Sequence, residues 1–201
     1  MKTYLFMLFC AAVIATPMAA QQASPAPTYR TAMFTDRIGI DGGLYFPMGD
    51  IKRGLDLSTA WGMNLNFWRF IDDRVVGVVS VGTSFYQLGK NVPTDSSTID
   101  LSELSLNATP IMGGIGYVFG TSDLHPYVMA HAGATLITVN IGARRPSEEI
   151  NNEAYFTLGA TAGVGYAASA RLTITSSVRY TKMFREDLQT LSVLFGIAYH
   201  L

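Results

Sequence analysis

The 201-residue sequence contains one cysteine, Cys10, and it falls in the N-terminal apolar segment. From residue 21 onward there is no thiol, which excludes a disulfide framework, a cysteine nucleophile and a thiolate metal site. Charge is also scarce: Asp, Glu, Lys and Arg make up 14% of the chain and the net charge is −1. No basic stripe interleaves with aromatics, so a nucleic-acid surface is excluded. The apolar run Tyr4 to Ala15 is shorter than the roughly 20 residues a membrane-spanning helix requires. Histidine occurs three times, as His125, His131 and His200. None sits in a metal-ligand spacing, and neither a phosphate-binding glycine loop nor a nucleophile elbow is present. The sequence therefore offers no catalytic, cofactor-binding or metal-ligating set.

What is present is apolar and patterned. Apolar residues make up 49% of the chain, 19 residues are glycine and the mean hydropathy is +0.24, which is too apolar for a disordered chain and fits a single domain. The start, MKTYLFMLFCAAVIATPMAA, has Lys2, an apolar stretch and then small residues, the layout of a secretory signal peptide over residues 1–20. Cleavage is expected after Ala20. Residues 21–35, opening with QQASPAPT, are expected to form a flexible lead-in, and 36–201 the folded part.

From Arg37 the hydrophobic period is two, the signature of strands with one apolar face. Ile38, Ile40, Leu44 and Phe46 oppose Arg37 and Asp41; Trp61, Met63, Leu65 and Phe67 oppose Asn64 and Asn66. In YFTLGATAGVGYA, Phe156, Leu158, Ala160, Ala162, Val164 and Tyr166 oppose a side made of Thr and Gly with Tyr155. In ARLTITSSVRY, Leu172, Ile174, Val178 and Tyr180 oppose Arg171, Thr173, Thr175, Ser177 and Arg179, and Ser176 breaks the pattern. The segment from Arg74 is apolar on both sides, with Ser80, Gly82 and Ser84 marking the more polar one. In LSELSLNATPIMGGIGYVF, Leu104, Leu106 and Ala108 alternate outward, and the parity is expected to switch at Gly113 and Gly114 through a bulge. PYVMAHAGATLIT puts Tyr127, His131 and Thr135 opposite small residues. The terminal LFGIAYHL places Phe195, Ile197, Tyr199 and Leu201 on one side to the last residue.

This makes eight strands, each long enough to cross a bilayer at a steep tilt. The connections around PMGDIKRGLD, GKNVPTDSSTID, NIGARRPSEEINNE and MFREDLQ read as long and charged, and FIDDR, GTSDLHP and AASA as short. Long and short alternate, as expected for an antiparallel up-and-down barrel whose termini share the periplasmic side. Aromatics gather near the strand ends, where interfacial girdles form. A soluble lipocalin-like barrel would invert these faces, with an apolar pocket inside; the Gly, Thr, Asn and charges of the polar side make a poor lining for one.

The ending resembles the C-terminal assembly signal of outer-membrane barrels: Gly196, the aromatic Tyr199 three residues on, and the apolar Leu201 at the end. The chain from 36 to 201 resembles the small eight-stranded outer-membrane barrels, such as the transmembrane domain of outer membrane protein A and the opacity-type adhesins. The resemblance implies a monomer in the outer membrane of a Gram-negative bacterium, with outer-membrane lipid and the barrel assembly machinery as partners. Loops such as Arg144 to Glu153 are where a surface ligand or an envelope protein would bind, and the sequence leaves open a host surface, another envelope protein or nothing.

An eight-stranded barrel has an interior that side chains fill. Arg37, Asp41, Glu103, His131, Arg171 and Arg179 are expected to project into it as a polar network, with the charges paired. Small lipid A deacylases are barrels with a His and a Ser close together on one strand. Here His131 has Gly133 where that serine is wanted, so an interior structural histidine is the better reading and an enzyme is not expected. The function read from the sequence is a structural or surface-interaction barrel with a filled lumen. The alternatives are a lipid-modifying enzyme, an accessory barrel of a secretion system and a narrow channel.

Overall fold

The computed structural model describes residues 36–49, 57–87, 91–94, 97–100, 104–120, 122–141, 150–184 and 188–201. The expected signal peptide and lead-in, Glu103 and most of the segment 144–153 lie outside these residues. Eight strands close into one antiparallel barrel: β1 (Arg37–Met48), β2 (Ala60–Phe70), β3 (Val75–Gln87), β6 (Leu104–Val118), β7 (Leu124–Ile141), β8 (Ile150–Ser169), β9 (Leu172–Met183) and β10 (Gln189–His200). A small hairpin of β4 (Asn91–Thr94) and β5 (Ser97–Asp100) stands in the connection between β3 and β6, which the sequence presents only as a loop. The last strand closes on the first in unbroken register from Arg37↔His200 to Met48↔Gln189. Closure leaves the sheet without a free edge.

The two faces separate as the period of two requires. Outward, Ile38, Ile40, Leu44, Trp61, Leu65, Val79, Ile115, Ile174, Phe195 and Ile197 are exposed and form a continuous apolar surface. Aromatics bound this surface at both ends. Toward the loops Trp61 packs on Phe85 with ring centroids 4.8 Å apart and Phe156 on Phe184 at 5.7 Å. Toward the termini Tyr117 meets Phe119 edge-on at 5.0 Å. So much contiguous exposed apolar area is incompatible with water as the surrounding solvent.

Inside, large side chains face glycines on the neighbouring strand. The register pairs Asn64↔Gly82, Gly114↔His131, Gly116↔Met129, Tyr127↔Gly163 and His125↔Gly165 each match one bulky group with one that has none. A Cβ on Gly165 would lie 2.4 Å from His125 Nε2, one on Gly163 2.6 Å from Tyr127 Cζ, and one on Gly82 2.1 Å from Asn64 Oδ1. These glycines are set by close packing in a narrow lumen, not by backbone flexibility.

Two expectations need correction. Leu106 and Ala108 point inward, 5% and 2% exposed, and β6 pairs with β7 in continuous register from Leu104↔Ile141 to Val118↔Tyr127, with no bulge at Gly113 and Gly114. The cause is the environment at the loop end. There the lumen is apolar, packed with Tyr45, Tyr86, Met183 and Leu194, while on the outer side Asn107 accepts a 2.8 Å hydrogen bond from Thr83. Polarity therefore reverses along β6 while the parity stays constant. The alternation of long and short connections also fails at the last one: residues 184–188 between β9 and β10 form a connection no longer than 119–123 between β6 and β7. At the opposite end Asp72 closes the β2–β3 turn, its carboxylate accepting the N–H groups of Arg74 and Val75 at 2.7 Å each. Those two bonds hold its carboxyl below the usual carboxylate range.

Candidate functional site in the lumen

The lumen is layered. At the loop end lies an apolar layer that includes Tyr45, Tyr86, Leu106, Met183, Leu188 and Leu194. At the terminal end lies a second, of Trp68, Val76, Val78, Val118, Tyr127 and Met129. Between them sits a polar belt that contains Asp41, Asn64, Asn66, Ser80, His131, Thr161 and Arg179.

Asp41 stands across from Asn64 in the β1–β2 register. Its Oδ1 accepts from Asn64 Nδ2 at 2.5 Å and its Oδ2 from Asn66 Nδ2 at 2.7 Å. The other proton of Asn64 Nδ2 goes to the Tyr45 hydroxyl at 2.8 Å. The carboxylate is thus solvated by two amides of the next strand, and among the described residues it is not paired with an arginine. Amide dipoles at hydrogen-bond distance can stabilise a buried charge without the desolvation of a second ion. Asn64→Leu is expected to cost about 1.5–3 kcal/mol, the range for a hydrogen bond to a charged group. Adding Asp41→Asn should recover part of the loss, and urea unfolding of the two variants and the double variant measures the coupling.

Across the lumen, Arg179 Nε donates to Thr161 Oγ1 at 3.2 Å. Thr161 Oγ1 lies 2.9 Å from His131 Nε2. The Thr161 hydroxyl thus links the guanidinium of Arg179 to the imidazole of His131. His131 is 4% exposed, its Nδ1 packed against the glycine backbone at Gly114, where a Cβ would lie 2.9 Å away. Two residues on, Gly133 has no room for a side chain: its Cβ would meet the Ile111 carbonyl oxygen at 2.1 Å. No hydroxyl can stand at that position. No group of three or more potential metal ligands occurs among the described residues.

Arg37, 1% exposed, occupies the terminal end of the lumen. Its guanidinium lies 4.7 Å from the Phe70 ring and 5.5 Å from the Trp68 ring, a cation–π arrangement. Its Nη1 is 3.4 Å from His125 Nε2, and His125 Nδ1 is 3.2 Å from the Asp123 carbonyl oxygen. Arg171, expected in the lumen, lies instead in the turn between β8 and β9; it is exposed and its Nη1 donates to the Tyr199 hydroxyl at 3.4 Å on the outer face. The strand parity that points Thr173 inward stops one residue short of it. Glu103 lies outside the described residues. Gly196 packs against β1, where a Cβ would lie 2.5 Å from the Ile40 carbonyl oxygen, and Tyr199 and Leu201 face outward. The residues that sequence reading left out of the network are Asn64, Asn66 and Thr161. Their parity was correct, but only the register shows that they stand beside Asp41, His131 and Arg179.

A closed barrel of eight antiparallel strands, apolar outside and polar at its centre, defines the class of small membrane barrels. The chain belongs to the outer membrane protein beta-barrel domain family, whose model matches residues 8–200. No curated protein matches in sequence. Several solved structures share the fold. Neisserial surface protein A superposes with a TM-score of 0.60 at 16% identity, covering 83% of this chain and 97% of its own. OprG from Pseudomonas aeruginosa gives 0.55 at 13% identity, covering 83% and 96%. Ail, the attachment invasion locus protein of Yersinia pestis, in complex with the heparin analogue sucrose octasulfate, gives 0.50 at 12%, covering 83% and 99%.

Proposed function

We propose that this protein is a non-conducting barrel of the Gram-negative outer membrane whose role, structural or in surface interaction, is carried by the connections at its loop end. The observation that supports this is the filling of the lumen by two apolar layers on either side of the polar belt. An ion crossing the barrel would have to shed its water to pass side chains that fill the lumen at both levels, Leu194 and Val76 among them, both fully buried. Phe195, Ile197, Tyr199 and Leu201 meet lipid, and the ending Gly196, Tyr199, Leu201 is what the assembly machinery would read. A barrel without open edges also favours a monomer. The Yersinia Ail barrel holds a sulfated sugar analogue in its complex; on this chain the connection with Arg144, Arg145, Glu148 and Glu149 is the first surface to test for a ligand or an envelope partner.

In planar bilayers the refolded protein is expected to give no unitary conductance steps at moderate voltage. Sustained single-channel steps would favour the narrow-channel reading. Replacement of residues 144–153 by a short Gly-Ser turn should leave heat-modifiable gel mobility intact and abolish any surface interaction the intact chain supports.

A further inference from the structure

Near its terminal end the barrel carries an open groove of about 450 Å³ on the outer face, walled by Val75 of β3, Ile115 and Tyr117 of β6, and Val128 and Ala130 of β7. We propose that this groove binds one phospholipid with a zwitterionic headgroup, a phosphatidylethanolamine, with its phosphate on Arg74 and Arg69 and one acyl chain along the groove. The site presupposes an outer face in lipid and adds that the lipid is selected here. Three observations carry the assignment.

The first is a pair of arginines on the outer side with donors to spare. Arg74, in the β2–β3 turn, is exposed, and its Nη1 donates to the Tyr117 hydroxyl at 3.0 Å. Tyr117 is itself a wall of the groove, so this bond holds the guanidinium at the groove's end. It is the one hydrogen bond that the guanidinium makes to the described residues, and the other donors remain open. Arg69 continues the outward parity of Trp61, Met63, Leu65 and Phe67; it is exposed, and its guanidinium has no partner among the described residues. A lipid phosphate is the anion found at the level where strands leave hydrocarbon, and it matches the fork of a guanidinium.

The second is shape. Gly77 stands between Arg69 and Ile115 in the register, and a Cβ built on it would meet nothing closer than 3.8 Å. Nothing therefore blocks the outer face between Arg69 and the groove. Tyr117, edge-on to Phe119, marks the interface, and from there the groove descends to Ile115 and its register partner Ala130. Charge at the interfacial end and apolar walls below follow the order of a phospholipid, headgroup then chain. The larger groove walled by Leu44, Trp61, Met63 and Phe195 has no arginine or lysine in its walls and offers a headgroup nothing.

The third is the charge of the turn. Asp72 and Asp73, both exposed, immediately precede Arg74. The Asp72 carboxylate is fixed there by the N–H groups of Arg74 and Val75. A purely anionic headgroup would meet repulsion from these carboxylates, whereas one with an ammonium beside its phosphate meets both signs. This favours phosphatidylethanolamine over phosphatidylglycerol.

The test is to refold the barrel, confirm folding by heat-modifiable mobility, and offer it phosphatidylethanolamine, phosphatidylglycerol and diacylglycerol in equal amounts in micelles, with retained lipid counted by native mass spectrometry. One phosphatidylethanolamine should be retained in preference to the other two. Arg69→Gln and Arg74→Gln should each weaken retention about tenfold, the scale of one lost charge-assisted hydrogen bond. Ala130→Phe, which fills the groove and leaves both arginines in place, should abolish it. Arg171→Gln, at the other outer arginine bonded to a tyrosine, should change nothing. Crystals of the unaltered protein grown with phosphatidylethanolamine should show a phosphate at hydrogen-bond distance from Arg74, a measurement that needs no variant. Equal retention of the three lipids, retention unchanged in both Arg69→Gln and Arg74→Gln, or an equal loss in Arg171→Gln would each overturn the proposal and leave only unselected lipid around the barrel. A chain that does not fold into bilayers at all would contradict the membrane reading beneath it.

Discussion

Val178→Arg is expected to destabilise the refolded barrel by about 2–4 kcal/mol, the cost of an arginine on the lipid face near the midplane. Val178 lies midway along β9, with Ala162 and Val193 as its register partners. Its neighbour Arg179 is buried in the lumen. A charge at 178 has only hydrocarbon to face, and the loss should persist at every pH where arginine is protonated. Val178→Leu should be near neutral, because the outer surface has no packed core to overfill. Urea titration in lipid bilayers, read by heat-modifiable mobility, gives the difference. If Val178→Arg were silent, the outer face would not be in lipid.

The second large effect is expected at the seam where the barrel closes. Gly43 faces inward on β1, opposite Leu194 of β10. A Cβ built there would lie 1.9 Å from the Val193 carbonyl oxygen. That atom is backbone, held in the ladder, so relief requires the two strands to part. Gly43→Ala should therefore cost at least about 1–3 kcal/mol, the range for overpacking a filled interior. The adjacent Gly42 provides the control: its Cβ would point outward and meet nothing closer than the Gly62 carbonyl oxygen at 3.4 Å. Gly42→Ala should be nearly neutral. Two alanines one residue apart with such unequal effects are what a narrow, filled barrel predicts; equal effects would mean that β1 and β10 do not pair in this register.

The period-two reading of the sequence located the strands and the faces wherever the outside is lipid and the inside polar. Strands β1, β2, β8, β9 and β10 satisfy that condition along most of their length, and Ile38, Trp61, Phe156, Ile174 and Phe195 all lie outward. The reading failed where the solvents change. At the loop end of β6 the lumen is drier than the outside, so Leu106 and Ala108 turn inward and the alternation reads with the wrong sign. It failed again at Arg171, where parity was extended one residue into a turn. The polar belt was legible as a set of inward residues but not as a network. Whether Asp41 meets an arginine or two asparagines depends on register and tilt, which no single strand records. The pairing of large groups with facing glycines, His125 with Gly165 and Tyr127 with Gly163, is likewise invisible until the strands are aligned.

The central claim is that the barrel is apolar outside and filled inside, and the chain's two tryptophans test it directly. Trp61 is 58% exposed on the outer face, while Trp68 is 8% exposed, stacked in the lumen with Arg37 and edge-on to Tyr127 at a centroid distance of 5.1 Å. Both lie on β2 and differ in parity. The variants Trp68→Phe and Trp61→Phe each leave one fluorophore, to be measured in bilayers of lipids brominated along the acyl chain. The account predicts strong quenching of Trp61 and little quenching of Trp68 at any bromine depth. Equal quenching of the two, or stronger quenching of Trp68, would contradict it.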